Sequence, residues 1–272
     1  MITQMQLVPV TEGKHPFASA AEKCCFTEIG YVEDEYFMSG TANVYEEDAF
    51  QNPKVAIADA PYTTRLLVRR PARMEKFSGN IVIEVLNATA MIDIDRMWVD
   101  TWRFFTRNGD IYIGITSKGQ VVDALKRFDP ERYAAINWDN PDRSRTPIAE
   151  IKDNPMLFLE EYESGLFWDM LIDLARLLRK DGEENPLAGY GPAHLFLTGW
   201  SQSGGYIARI LHSFAYQPKI EEEGPLFDGY LLAGCGAADA PMNAYSSAFR
   251  FGQSGIPQGS ILGGKEPVIA VN

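Results

Sequence analysis

The run Leu195-Phe-Leu-Thr-Gly199-Trp200-Ser201-Gln202-Ser203-Gly204-Gly205 joins an apolar stretch to a serine flanked by small residues, and an amphipathic helix follows. A buried strand that turns into a helix within two residues holds the apex residue in a strained conformation, so the positions two away on either side must be small. Gly199 and Ser203 meet that requirement and put Ser201 at the apex. A serine so placed is a candidate nucleophile. The helix behind it aims its first N–H groups and its positive dipole end at the hydroxyl, and the next N–H helps to hold an oxyanion. Gln202 supplies that N–H, and the second donor is expected from the loop after an earlier strand, at Asn87 or Ala88. Glycine usually fills the second small position, so Ser203 is a departure. A register centred on Ser203, with Ser201 and Gly205 as the small flanks, stays open, but the apolar strand runs directly into Ser201 and favours it.

A serine nucleophile needs a base within hydrogen-bonding reach, normally histidine, and a carboxylate to orient that base. The chain has three histidines. His194 opens the strand that ends at Ser201, and seven extended residues at about 3.3 Å each put it roughly 23 Å away, at the other end of the sheet. His212 lies eleven residues along the following helix, roughly 16 Å at about 1.5 Å per residue, on the face opposite Ile207, Ile210, Leu211 and Phe214. That is a solvated position. His15 belongs to the N-terminal segment and would need an unusual topology to reach Ser201. The base is therefore expected from sequence outside this chain. Asp239 is the one internal carboxylate placed to serve as the acid, and a loop-capping role is the competing reading.

The elements that must position these residues follow from the apolar pattern. Residues 31–45 and 62–71 read as extended segments joined by a Pro/Ala-rich connection, suited to the antiparallel start of a sheet. Residues 80–87 (NIVIEVLN) and 110–117 (DIYIGITS) are short Ile/Val-rich runs, the composition of strands buried on both faces. Between them, residues 95–108 carry Met97, Trp98, Trp102 and Phe105 at helical spacing and end at Asn108-Gly109. A second helix over 165–180 places Phe167, Met170, Leu171, Leu174, Leu177 and Leu178 on one face. Strands follow at 193–199, 229–233 and 267–271, with a helix over 203–215. Strands alternating with helices predict an α/β fold, a mostly parallel sheet covered on both faces, in a single domain spanning 1–272. The stretch 118–164 is too long and too rich in Pro, Asp and aromatics for a simple connection. It reads equally as a cap that shapes a pocket or as an insertion that only packs.

Composition narrows the function classes. A formal net charge of −12, with no basic run, argues against nucleic acid and anionic membranes as partners. No apolar run reaches 18 residues, and the N-terminus MITQMQLVPVTEG lacks the apolar core of a leader. Cys24 and Cys25 are adjacent, and Cys235 stands alone, without CxxC spacing. A soluble, reducing, cytoplasmic setting is expected. No HxH or HExxH spacing offers a metal site, and no organic cofactor is implied.

The segments VEDEYFMSGTANVY, PYTTRLLVRRP, GNIVIEVLN, DPERY, GWSQSG and FDGYLLAG, spread over residues 31–234, resemble the α/β-hydrolase superfamily. More narrowly they resemble a bacterial family of α/β-hydrolase-domain proteins with a GxSQSG elbow. The resemblance implies a Ser, acid, His triad in that chain order, acting on carboxylic esters or related acyl compounds. It places the acid after a strand like 267–271, beyond which the sequence has only Asn272. The expectation is a fold lacking its C-terminal part, with acid and histidine on an absent segment or a separate polypeptide that would also cover an incomplete sheet edge. A non-catalytic ligand-binding or scaffold protein on the same fold is the alternative.

Overall fold

The computed structural model describes residues 1–18, 25–48, 52–191, 193–235, 239–246 and 268–271. Pro267, Asn272 and Cys24 lie outside them. Eight strands form one sheet in the order β1-β2-β3-β5-β4-β6-β7-β8. β1 (Ile2–Val8), β2 (Tyr31–Glu47) and β3 (Pro53–Pro71) are antiparallel, and β3 pairs antiparallel with β5 (Ile111–Ile115). From there the sheet is parallel through β4 (Asn80–Val85), β6 (His194–Trp200), β7 (Gly229–Ala233) and β8 (Val268–Val271). The α/β architecture expected from the sequence is the one observed.

Two differences have physical causes. β1 was not expected, because an edge strand with Thr3, Gln4 and Gln6 largely exposed carries no clean alternation. β3 begins at Pro53, not Tyr62; its first half is mostly exposed and so lacks a buried stripe to mark it.

Helices cover both faces. α1 (Arg96–Asn108) packs Trp98 and Phe105 on Tyr112 in a small core of its own, while α3 (Phe167–Leu178) and α4 (Gln202–Ser213) join the main core with Ile83, Leu195, Leu197 and Leu232. Within 118–164 a short helix, α2 (Val122–Phe128), precedes turns that bury Tyr133, Ile136 and Trp138 against the sheet, with Asn137 bridged to Thr63 of β3. The chain leaves β4 toward β5 on one side, and β6 enters on the other. The C-terminal ends of β4 and β6 are therefore neighbours at the point where strand order reverses, and crevices for ligands open at such points.

Candidate active site

β6 delivers the backbone to Ser201, which adopts φ 55°, ψ −115°, and α4 begins at the next residue. Ser201 is one of only three non-glycine residues with positive φ among the described residues, a conformation costing about 1–3 kcal/mol unless the surroundings impose it. The surroundings do impose it. The Ser201 N–H donates to Ala233 O at the end of β7 (2.8 Å), and its carbonyl accepts from the Gly204 N–H (2.9 Å). A Cβ on Gly199 would lie 2.8 Å from both Ser203 Cβ and Ser203 O, and one on Gly204 would lie 2.5 Å from Cys235 Cβ. The departure from glycine at 203 thus has an explanation: the Ser203 Cβ fills space that Gly199 leaves empty. Ser203 itself is 2% exposed, inside the first turn of α4, with its Oγ unpartnered, whereas Ser201 is exposed at the apex. The geometry selects the register centred on Ser201.

The loop after β4 abuts this turn. Asn87 Nδ2 donates to Trp200 O (2.8 Å), and Asn87 Oδ1 accepts the Thr89 N–H (2.9 Å). The Asn87 N–H is spent on Ile94 O (3.0 Å), in a bridge returned by the Ile94 N–H. Of the two residues expected to offer a free N–H, Asn87 is therefore a brace between the loop and the elbow, and Ala88 is the one whose N–H has no hydrogen bond among the described residues. Neither the side-chain role of Asn87 nor the loop's anchors had been read from sequence. An amide directly after an apolar strand was the available signal for the first.

The anchors are buried charges. On β3, Arg65 pairs with Asp93 (3.1 Å) and Arg69 with Asp95 (2.7 Å), so two arginines four residues apart on one strand hold the far end of the 87–95 loop. Glu84 of β4 takes the Met97 and Trp98 N–H groups at the start of α1 (2.9 and 3.3 Å) and the Tyr112 hydroxyl (2.6 Å). Burial pushes its carboxyl up to about 8, against the pull of those donors. A carboxyl raised from 4.5 leaves the folded state holding more protons than the unfolded one across pH 5–8. Its stabilisation is complete below 4.5 and is lost as pH rises toward 8. Urea midpoints are expected to fall across that window, by the equivalent of a few kcal/mol at most, and Glu84→Gln to flatten the fall.

The apolar pattern and the turn geometry agree with a match to the family model described as "Alpha/beta hydrolase domain", which covers residues 4–272. The chain belongs to that family. No curated protein matches it by sequence. Solved structures similar to this alpha/beta hydrolase domain include esterase Est22 (13% identity, 75% of this chain and 45% of that one, TM-score 0.36). Brefeldin A esterase, described as a bacterial homologue of human hormone sensitive lipase, is also similar (12%, 71% and 39%, 0.33). So is a putative dienelactone hydrolase from Klebsiella pneumoniae (11%, 87% and 85%, 0.34). The chain thus spans less than half the length of the first two.

No described hydrogen bond or ion pair of the three histidines of this alpha/beta hydrolase domain reaches Ser201. His194, 71% exposed, sits at the start of β6, 3.9 Å from Asp228. His15 bonds Pro16 O and stacks edge-on against Phe128. His212 is in the last turn of α4, and its Nδ1 lies 2.7 Å from Asp239 Oδ2. Asp239 therefore engages a histidine, but one near the far end of α4 from the apex, and neither the acid nor the loop-cap reading anticipated that pair. Among the described residues no group of three or more His, Cys, Asp or Glu could hold a metal ion, and no helix is long and apolar enough to cross a membrane. An apolar groove of about 520 Å³ lies beside α1, walled by Val82, Phe196, Leu231, Met97 and Phe104. Ser201 is not part of it.

Proposed function

We propose that this alpha/beta hydrolase domain cleaves small carboxylic esters through an acyl-enzyme on Ser201. The observation that carries the reading is the positive φ of an exposed serine at the start of a twelve-residue helix, held by hydrogen bonds on both sides. In this account Ser201 Oγ attacks the ester carbonyl. The Gln202 and Ala88 N–H groups receive the charge that develops on its oxygen, while Asn87 keeps the two donors in register by bracing the loop against Trp200. The alkoxide leaves with the proton taken from Oγ, and water then releases the acid. In this reading the base and its carboxylate come from sequence outside these 272 residues, on the same or a separate polypeptide, because the described hydrogen bonds and ion pairs of the three histidines are with Pro16, Asp228 and Asp239 rather than Ser201. No metal or cofactor enters the scheme.

The positions of those histidines also favour a second reading, a ligand-binding protein that retains the fold without the chemistry. Rapid mixing of the natural full-length polypeptide with a 4-nitrophenyl ester separates the two. The first reading predicts a burst of one nitrophenolate per Ser201 followed by slower turnover. Ligand binding without any burst is the outcome expected of the second.

A further inference from the structure

Every other buried cation with a described environment has a carboxylate partner: Arg65 and Arg132 share Glu35, Arg69 has Glu33 and Asp95, and Arg209 has Glu47. Lys118 does not. It is 3% exposed, and its ammonium makes no ion pair or hydrogen bond among the described residues. Its one described contact is with the face of the Tyr206 ring, 5.9 Å from the centroid. Glu163, the buried carboxylate that acts on Tyr206, turns its Oε1 to the Gly165 and Ala244 N–H groups instead (both 2.7 Å). Burial pulls the Lys118 ammonium down to about 8, with no anion among the described residues opposing it. A buried ammonium with no anionic partner among the described residues is costly, and a fold that keeps one needs a reason.

Its location supplies the reason. Lys118 follows β5 at the C-terminal edge of the sheet, directly after Ser117, whose Oγ donates to Leu86 O (2.6 Å) just before the Asn87 loop. Its side chain runs toward Tyr206 of α4, five residues past Ser201. That spacing is roughly 7.5 Å of helix rise. The cation thus belongs to the same C-terminal edge of the sheet as the Ser201 turn.

We propose that Lys118 is a specificity residue that recognises a carboxylate carried by the substrate away from its scissile bond, so that the preferred esters are half-esters of short dicarboxylic acids. The word substrate rests on the Ser201 reading; the binding of the anion does not.

The test is calorimetric titration of the full-length Ser201→Ala protein with monomethyl glutarate, an anion, and with methyl pentanoate, its neutral counterpart. The expected result is at least tenfold tighter binding of the anion, with that advantage lost when Lys118→Met is added and partly kept with Lys118→Arg. Lys118→Met should also melt higher, since it replaces an unpaired charge with an apolar chain of similar size. Equal or absent binding of the anion, an advantage that survives Lys118→Met, or a lower melting temperature would overturn the proposal. If Ser201 is not a nucleophile, the burst fails while anion binding persists, so the two failures are distinguishable.

Discussion

Replacing Ser201 with alanine is expected to abolish the nitrophenolate burst and to lower ester turnover by roughly 10⁴ to 10⁶, the loss that follows removal of a nucleophile whose proton relay is otherwise intact. Ser203→Ala is expected to keep the burst, because its hydroxyl is buried in the first turn of α4 while Ser201 is exposed at the apex. The pair of variants separates two serines only two residues apart. Stability should move the other way. Ser201 at φ 55° is held by its bonds to Ala233 and Gly204, so Ser201→Gly is expected to raise unfolding free energy by about 1 kcal/mol, and up to about 3, in urea titrations. Gain of stability with loss of chemistry is the signature of strain kept for function.

The second large effect is expected at Arg65. It is 1% exposed, and its guanidinium reaches Glu35, Asp93 and the carbonyl of Phe17. Arg132, Tyr133 and Thr116 complete the network, so two cations balance two carboxylates. Arg65→Met leaves Glu35 and Asp93 with one cation between them, in an interior where an uncompensated charge costs about 3–5 kcal/mol. Denaturant unfolding should register a loss of that size. Adding Asp93→Leu should recover a large part of it, since the second change removes the charge the first one stranded. Asp93 also anchors the loop that carries Ala88. The single Arg65→Met variant should therefore slow acylation even where it remains folded, while an unlinked surface variant of equal stability should not.

The sequence showed the parallel half of this fold well. Residues 80–87, 110–117 and 193–199 are short apolar runs because those strands are covered on both faces, and the helices between them need one apolar stripe each. It showed the antiparallel half less well. Ile2–Val8 and the outer half of the third strand have little buried surface, so nothing periodic marks them. Of the site, the elbow was legible, because strand, small residues and helix are consecutive. The rest depends on pairs distant in sequence: Asn87 with Trp200, Arg65 with Asp93, His212 with Asp239, Lys118 with Tyr206. A charge in a strand reads as solvated until its partner is located, which is why Arg65 and Arg69 attracted no notice; His212 is solvated as expected, and only its pairing with Asp239 went unread.

The central claim is that Ser201 is an activated nucleophile. The most direct measurement is the intact mass of the full-length protein after treatment with a fluorophosphonate, with the modified peptide sequenced. The account predicts a single adduct, on Ser201, absent from Ser201→Ala and present in Ser203→Ala. An adduct on Ser203, or no adduct on a folded full-length protein, would contradict it.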